Sequence, residues 1–220
     1  GKVEKERMFR MVKIGITGGI GAGKSTVLEY MAKLPETSVY QADLIAHELQ
    51  LPGQVCYDKI IEHFGEQILK EDGFIDRNRL GSLIFGNEAE RLLLNAMVHP
   101  AVNQRIETLM SEEEQKGTKL FVLEAALLTD DYYRTILDEI WYIYATEPVR
   151  RERLRQTRCY SEEKITGIMQ AQASEEEFRR KCDIVIDNSG AFADTVIQIE
   201  KVMKKQEQTK NEIMQHSKRQ

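Results

Sequence analysis

Long apolar runs are missing from this chain of 220 residues. No stretch approaches the roughly 18–20 apolar residues of a membrane-spanning helix, and the first residues have no apolar leader core, so a cytoplasmic protein that does not engage membranes is expected. Cysteine is scarce. Cys56, Cys159 and Cys182 are odd in number and lack both metal-ligand and C-x-x-C spacing, which fits free thiols in a reducing compartment. His47, His63, His99 and His216 show no paired ligand spacing either. Positive charge is not in excess: the net charge of −5 argues against a general nucleic-acid or anionic-membrane surface, which depends on clustered Lys and Arg. Small anions can still be bound by local basic clusters. Internal repeats are absent, and nothing in the sequence sets an oligomeric state.

Glycine, by contrast, is concentrated where it carries chemistry. Residues 18–25, Gly-Gly-Ile-Gly-Ala-Gly-Lys-Ser, follow the apolar run at 12–17 and precede a helix-forming stretch. They match the phosphate-binding pattern G-x-x-x-x-G-K-[ST] in spelling and in context. The glycines let backbone N–H groups turn inward around phosphates, and the helix beginning near Lys24 adds its positive end. Lys24 is placed to reach the β- and γ-phosphates, and the Ser25 hydroxyl to coordinate Mg²⁺. A nucleoside triphosphate is the expected ligand.

Apolar runs of strand length recur at 12–17, 119–124, 139–145 and 183–187, with a shorter one at 38–40. Stretches of helical spacing separate them, so an α/β fold with a five-stranded parallel sheet flanked by helices is predicted. At this length, one domain with subdomains is expected. Residues 11–43, 118–148 and 181–203 read as a nucleotide-binding core and 44–117 as a helical insertion. Residues 149–180 read as a helical lid, 204–220 as a charged tail extending the last helix, and 1–10 as an upstream extension or tag. Within the insertion, helices are expected over 54–64, 79–85 and 88–113, with a turn at Gly73–Asp76 and an interruption at His99-Pro100, where the proline should kink or restart the helix.

Phosphoryl transfer needs positioning, charge neutralisation and a carboxylate that receives the nucleophile's proton. Asp43 is the first acidic residue after the loop's own helix–strand unit, at the carboxyl edge of the predicted sheet, where open α/β folds bind ligands. It reads as a base or metal organiser, or as a solvated helix cap. Glu124 ends a strand and reads equally as a contributor to the metal's outer shell or as a carboxylate without catalytic part. Arg150, Arg151, Arg153, Arg155 and Arg158 share one helix and its following turn; 151/155 and 151/158 can converge on phosphate oxygens, while other members of the row face solvent. Arg77 and Arg79 read as anion clamps for the acceptor substrate. His99 reads as a buried structural residue or a substrate hydrogen-bonding group.

Five segments together, Gly15–Thr26, Ala42–Ala46, Gly73–Arg77, Leu94–Pro100 (Leu-Asn-Ala-Met-Val-His-Pro) and Asp183–Gly190 (Asp-Ile-Val-Ile-Asp-Asn-Ser-Gly), make the chain resemble the dephospho-coenzyme A kinases. The resemblance runs from about Val12 to Met203. It implies a P-loop kinase that uses ATP and Mg²⁺ to phosphorylate the 3′-hydroxyl of dephospho-coenzyme A, with a helical acceptor region and a lid. On this reading Gly19, Ile20, Gly21, Ala22, Gly23, Lys24, Ser25 and Thr26 hold ATP, joined by Arg151 and Arg155 of the lid and by Asn188 near the adenine. Asp43 is the catalytic carboxylate, with Lys24 acting on the transferring group; Thr17, Arg77, Arg79 and His99 lie on the acceptor side.

The chain departs from the family pattern in four places. Gln41 replaces the first acid of Asp-Ala-Asp, leaving Asp43 alone, and His47 stands where Arg is usual. The lid reads Thr157-Arg158-Cys159-Tyr160, which displaces its arginine by one position. A Pro-Leu-Leu segment has become Ala126-Leu127-Leu128, with Asp130 following. The nearest rival is a nucleoside or nucleoside monophosphate kinase. A GTPase-type switch is disfavoured because no Asn-Lys-x-Asp is present.

Overall fold

A computed structural model of the chain describes residues 10–126, 128 and 131–219. Five strands, β1 (Val12–Thr17), β2 (Thr37–Gln41), β3 (Leu120–Glu124), β4 (Glu139–Tyr144) and β5 (Ile184–Asp187), form one sheet in the order β2-β3-β1-β4-β5. β1 pairs in parallel with β3 (Ile14 opposite Val122) and with β4 (Ile16 opposite Trp141), and β4 pairs in parallel with β5. The interior strands are continuous apolar runs rather than alternating ones, because a parallel sheet covered by helices is buried on both faces. The chain builds one side of β1 first and then crosses to the other side. That reversal makes β1 the switch point of the sheet, and the carboxyl end of a switch-point strand is the usual ligand position in such sheets.

By contact density the chain divides into two compact units, residues 1–39 with 116–220 and residues 40–115. In the first, Ile14, Ile16, Val122, Trp141, Ile143 and Ile186 of the sheet form a core with Val27 and Met31 of α1 (Lys24–Ala32) and with Ile199. Trp141 is wholly buried, and its indole N–H donates to Glu139 Oε1 at 2.6 Å, so the ring contributes its apolar area without an unsatisfied donor. α6 (Asp131–Ile136) precedes β4. α7 (Glu147–Arg158), α8 (Glu162–Ala171) and α9 (Glu175–Lys181) follow it, and α10 (Phe192–Ser217) continues unbroken well past the last strand. An apolar groove involving Met11, Ile184, Val202, Ile213 and Met214 lies at the amino ends of the strands, the edge opposite the carboxyl end of β1.

The second unit contains α2 (Ala42–Leu49), α3 (Tyr57–Phe64), a short 3₁₀ turn, α4 (Arg77–Ile84) and α5 (Glu88–Lys116). Asp76 caps α4 by accepting from the Asn78 and Arg79 amides at 3.0 and 3.2 Å, which satisfies two of the free donors at that helix's start. The Tyr40 hydroxyl donates to Glu113 at 2.7 Å, and burial, reinforced by that carboxylate, pushes its pKa up to about 12. The helix does not restart at His99-Pro100: α5 runs through Pro100. Ala96, whose carbonyl loses a donor there, is exposed together with His99 and Pro100, so water can replace the missing bond.

Candidate functional site: a phosphate-binding loop and its lid

Residues 18–23 leave β1 and bend into α1. At Gly18 a Cβ would stand 2.5 Å from the Ile143 carbonyl oxygen of β4, so only glycine lets the loop start this close to the sheet. Gly23 sits in the left-handed region at φ 84° as the N-cap of α1, a conformation that other residues enter at a cost. No side chain caps α1, which leaves the helix's positive end turned toward the loop it grows from. Lys24 Nζ donates to the Gly18 carbonyl at 2.6 Å and lies 3.7 Å from Glu124 Oε1, so the cation folds across the loop beside the strand-end carboxylate. Ser25 and Thr26 are exposed in the first turn of α1. Thr17 is fully buried, and its hydroxyl donates to the Ala126 carbonyl at 3.1 Å, tying β1 to the turn after β3. Leu127 and Asp130 lie outside the described residues.

The lid arginines divide by helix face. Arg151 bonds Glu147 and the Thr166 hydroxyl, with Glu162 3.4 Å away, and Arg155 bonds Glu152 and Glu162. These two, expected at the nucleotide, instead join α7 to α8. Arg150 and Arg153 face the loop. Arg150 Nε donates to the Ile20 carbonyl at 2.9 Å, while Arg153 reaches the Gly21 and Asn188 carbonyls at 3.1 and 2.6 Å. Both belong to the arginine row read from the sequence but lie outside its 151/155 and 151/158 pairs. The available signal was the apolar pair on the same helix, since partly buried Val149 and buried Leu154 mark its inner side next to 150 and 153.

Asn188, just after β5, is buried with both ends of its amide engaged. Nδ2 donates to the Ala22 carbonyl at 2.8 Å, and Oδ1 accepts from Thr195 at 2.7 Å. It holds the closing half of the loop from behind. Sequence reasoning did not find Gln172, which follows α8. Its Oε1 accepts from the Ile20 amide at 3.2 Å and from Arg150 at 2.9 Å.

In the second unit, Asp43 is exposed in the first turn of α2, and Gln41 is that helix's N-cap without a side-chain bond. One turn on, His47 Nδ1 lies 3.2 Å from Arg77 Nη1. Burial, then the Arg77 charge, lowers the pKa of His47, with Asp43 opposing them. The neutral ring therefore accepts from Arg77. Arg79 donates to the Leu69 carbonyl at 2.9 Å and leans on Asp76. His99 is exposed on α5, not buried.

A parallel sheet in this order, with a glycine loop running into an uncapped helix, a lysine across the loop and arginines from a following helix pair, defines a phosphotransferase of the P-loop kinase class. The chain matches the dephospho-CoA kinase family over residues 12–194. It is 38% identical over 194 residues to a dephospho-CoA kinase of Bacillus cereus, covering 88% of this chain and 96% of that one. It is also 38% identical to the dephospho-CoA kinase of Carboxydothermus hydrogenoformans, over 87% and 93% of the two chains. Among solved structures, TT1252 from Thermus thermophilus superposes with a TM-score of 0.72 at 27% identity, over 89% of this chain and 98% of that one. Dephospho-CoA kinase from Campylobacter jejuni superposes with a TM-score of 0.58 at 27% identity, over 87% and 95%. The chain belongs to the dephospho-CoA kinase family.

Proposed function

We propose that this enzyme transfers the γ-phosphoryl group of ATP to the ribose 3′-hydroxyl of dephospho-coenzyme A, giving coenzyme A and ADP. The observation that carries the reading is the family match over residues 12–194, which spans the phosphate loop, the helical insertion and the lid. The loop residues 19–26 hold ATP, and Lys24 moves from the Gly18 carbonyl onto the β/γ-phosphate oxygens, where its charge offsets what develops on the transferring group. Asp43 accepts the 3′-hydroxyl proton; being exposed in the first turn of α2, it is open to substrate. Thr17 lines the reacting centre. Arg77, Arg79 and His99 bind the acceptor, with Arg77 aimed by His47.

Mg²⁺ is the implied metal. Among the described residues no group of three or more His, Cys, Asp or Glu could hold an ion. Ser25 Oγ would supply a hard oxygen donor to a nucleotide-borne ion alongside phosphate oxygens and water, and Glu124 would contribute to its outer shell. When bound, the metal neutralises phosphate charge. Asn188 acts on the adenine side through the Ala22 and Gly23 carbonyls it holds. For Arg151 and Arg155 to reach ATP, they must first release Glu147 and Glu162.

Asp43→Asn keeps the shape of the side chain and removes its basicity. Turnover should fall by about two orders of magnitude or more while ATP binding, measured by calorimetry, is retained. Parallel loss of binding and turnover would make Asp43 structural.

A further inference from the structure

Ile20, at the outer bend of the phosphate loop, is gripped from both ends of its peptide environment by residues more than a hundred positions away. Gln172 Oε1 accepts from the Ile20 amide, Arg150 Nε donates to the Ile20 carbonyl, and Arg150 Nη2 donates to the same Gln172 oxygen at 2.9 Å. The three groups close a ring. The guanidinium lies against Gly19, where a Cβ would require Arg150 Nη2 to shift. Gly21 is packed in the same way under the Arg150 backbone, its Cβ position 2.7 Å from the Arg150 carbonyl.

The two loop-facing arginines differ in charge balance from the others: Arg153 donates to the Gly21 and Asn188 carbonyls, and Arg150 closes this ring at the Gly19–Ile20 bend. Arg151, Arg155 and Arg179 each bond a carboxylate. Among the described residues no carboxylate lies within ion-pair distance of Arg150, and its hydrogen-bond acceptors are neutral amide oxygens. Burial accordingly lowers its pKa, with the Tyr142, Glu147 and Glu175 charges acting against that. A half-buried cation held by neutral oxygens keeps its full charge for an incoming anion, whereas a paired one is already neutralised.

We propose that Arg150 is the lid arginine that serves the ATP phosphates and that Gln172 is its positioning residue, holding the guanidinium against the Gly19–Ile20 bend without neutralising it. A glutamine suits this task and a glutamate does not: the two are nearly isosteric and both accept two hydrogen bonds, but the carboxylate would cancel the charge and repel phosphate. Because Gln172 ends α8, the same contact links the lid helices to the loop. The inference rests on the ATP half of the proposed function and is independent of the acceptor.

The test is ATP affinity by calorimetry, without acceptor, for wild type, Gln172→Glu, Gln172→Ala and Arg150→Gln, with thermal midpoints measured alongside. Arg150→Gln should weaken ATP binding by about tenfold or more, the scale of a charge-assisted hydrogen bond. Gln172→Glu should weaken it at least as much as Gln172→Ala, although the glutamate preserves the ring and the midpoint. In turnover assays the Gln172→Glu effect should appear in the KM for ATP and not in that for the acceptor. If Gln172→Glu binds ATP as wild type does, or if Arg150→Gln leaves affinity unchanged, the assignment is overturned. If all four proteins follow the expected order but wild type ignores dephospho-coenzyme A, the assignment stands and the acceptor reading fails.

Discussion

At the residue scale, most of the chemistry depends on a few side chains held by groups distant in sequence. Lys24 spans its own loop to the Gly18 carbonyl, so its exchange of a carbonyl for phosphate oxygens leaves the loop's glycine framework intact. Lys24→Ala should lower kcat/KM by roughly 3 kcal/mol of transition-state stabilisation, about a hundredfold, by analogy with loss of one oxyanion donor. Near wild-type turnover would remove Lys24 from the chemistry. His47 offers a pH signature. Its pKa in the folded protein is lowered, first by burial and then by Arg77, so the unfolded chain takes up the proton more readily. The stability it contributes is present above the unfolded value of about 6.5 and is lost as pH falls through the folded value. Urea midpoints measured from pH 8 to 5 should drop less steeply in His47→Gln than in wild type. Equal slopes would mean that the ring titrates as it does in the unfolded chain.

At the scale of elements, the strands were legible in the sequence because each buried parallel strand is an uninterrupted apolar run, as at 120–123 and 140–143. The phosphate loop was legible because its glycines answer to geometry, Gly18 to the approach of β4 and Gly23 to a positive φ. The helix restart expected at Pro100 is absent from α5: the proline removes a donor, but on an exposed face that loss can be repaired by water. Periodicity grouped the lid arginines without dividing them, because it says which residues share a face and not what that face meets. Gln172 was invisible, since a lone glutamine after a helix carries no pattern and acquires its role only when folding brings it to Ile20. The lid turn also holds a strained position. Cys159 ends α7 in the left-handed conformation at φ 52°, where glycine is the usual occupant. Cys159→Gly should raise stability by about 1 kcal/mol, read as a higher denaturation midpoint. A lower midpoint would show that the thiol's packing outweighs its backbone cost.

At the scale of the whole molecule, the family match extends from the first strand to the start of the last helix, and the extra length lies at the ends. α10 is anchored beyond the match, where Gln206 donates to Glu139 Oε1 at 2.9 Å, the same oxygen that accepts from Trp141. No helix among the described residues is long and apolar enough to cross a membrane. Phosphate binding alone suits any member of this fold class, so the substrate separates this enzyme from the sugar-, nucleoside- and nucleotide-directed kinases. The most direct measurement is therefore a side-by-side turnover assay with MgATP, offering dephospho-coenzyme A, nucleosides and nucleoside monophosphates, with the phosphorylated position of the product assigned by phosphorus NMR. The account predicts that dephospho-coenzyme A is used with the highest kcat/KM and that the new phosphate is on the ribose 3′ oxygen. Faster phosphorylation of a nucleoside or monophosphate, or a product modified at another position, would contradict it.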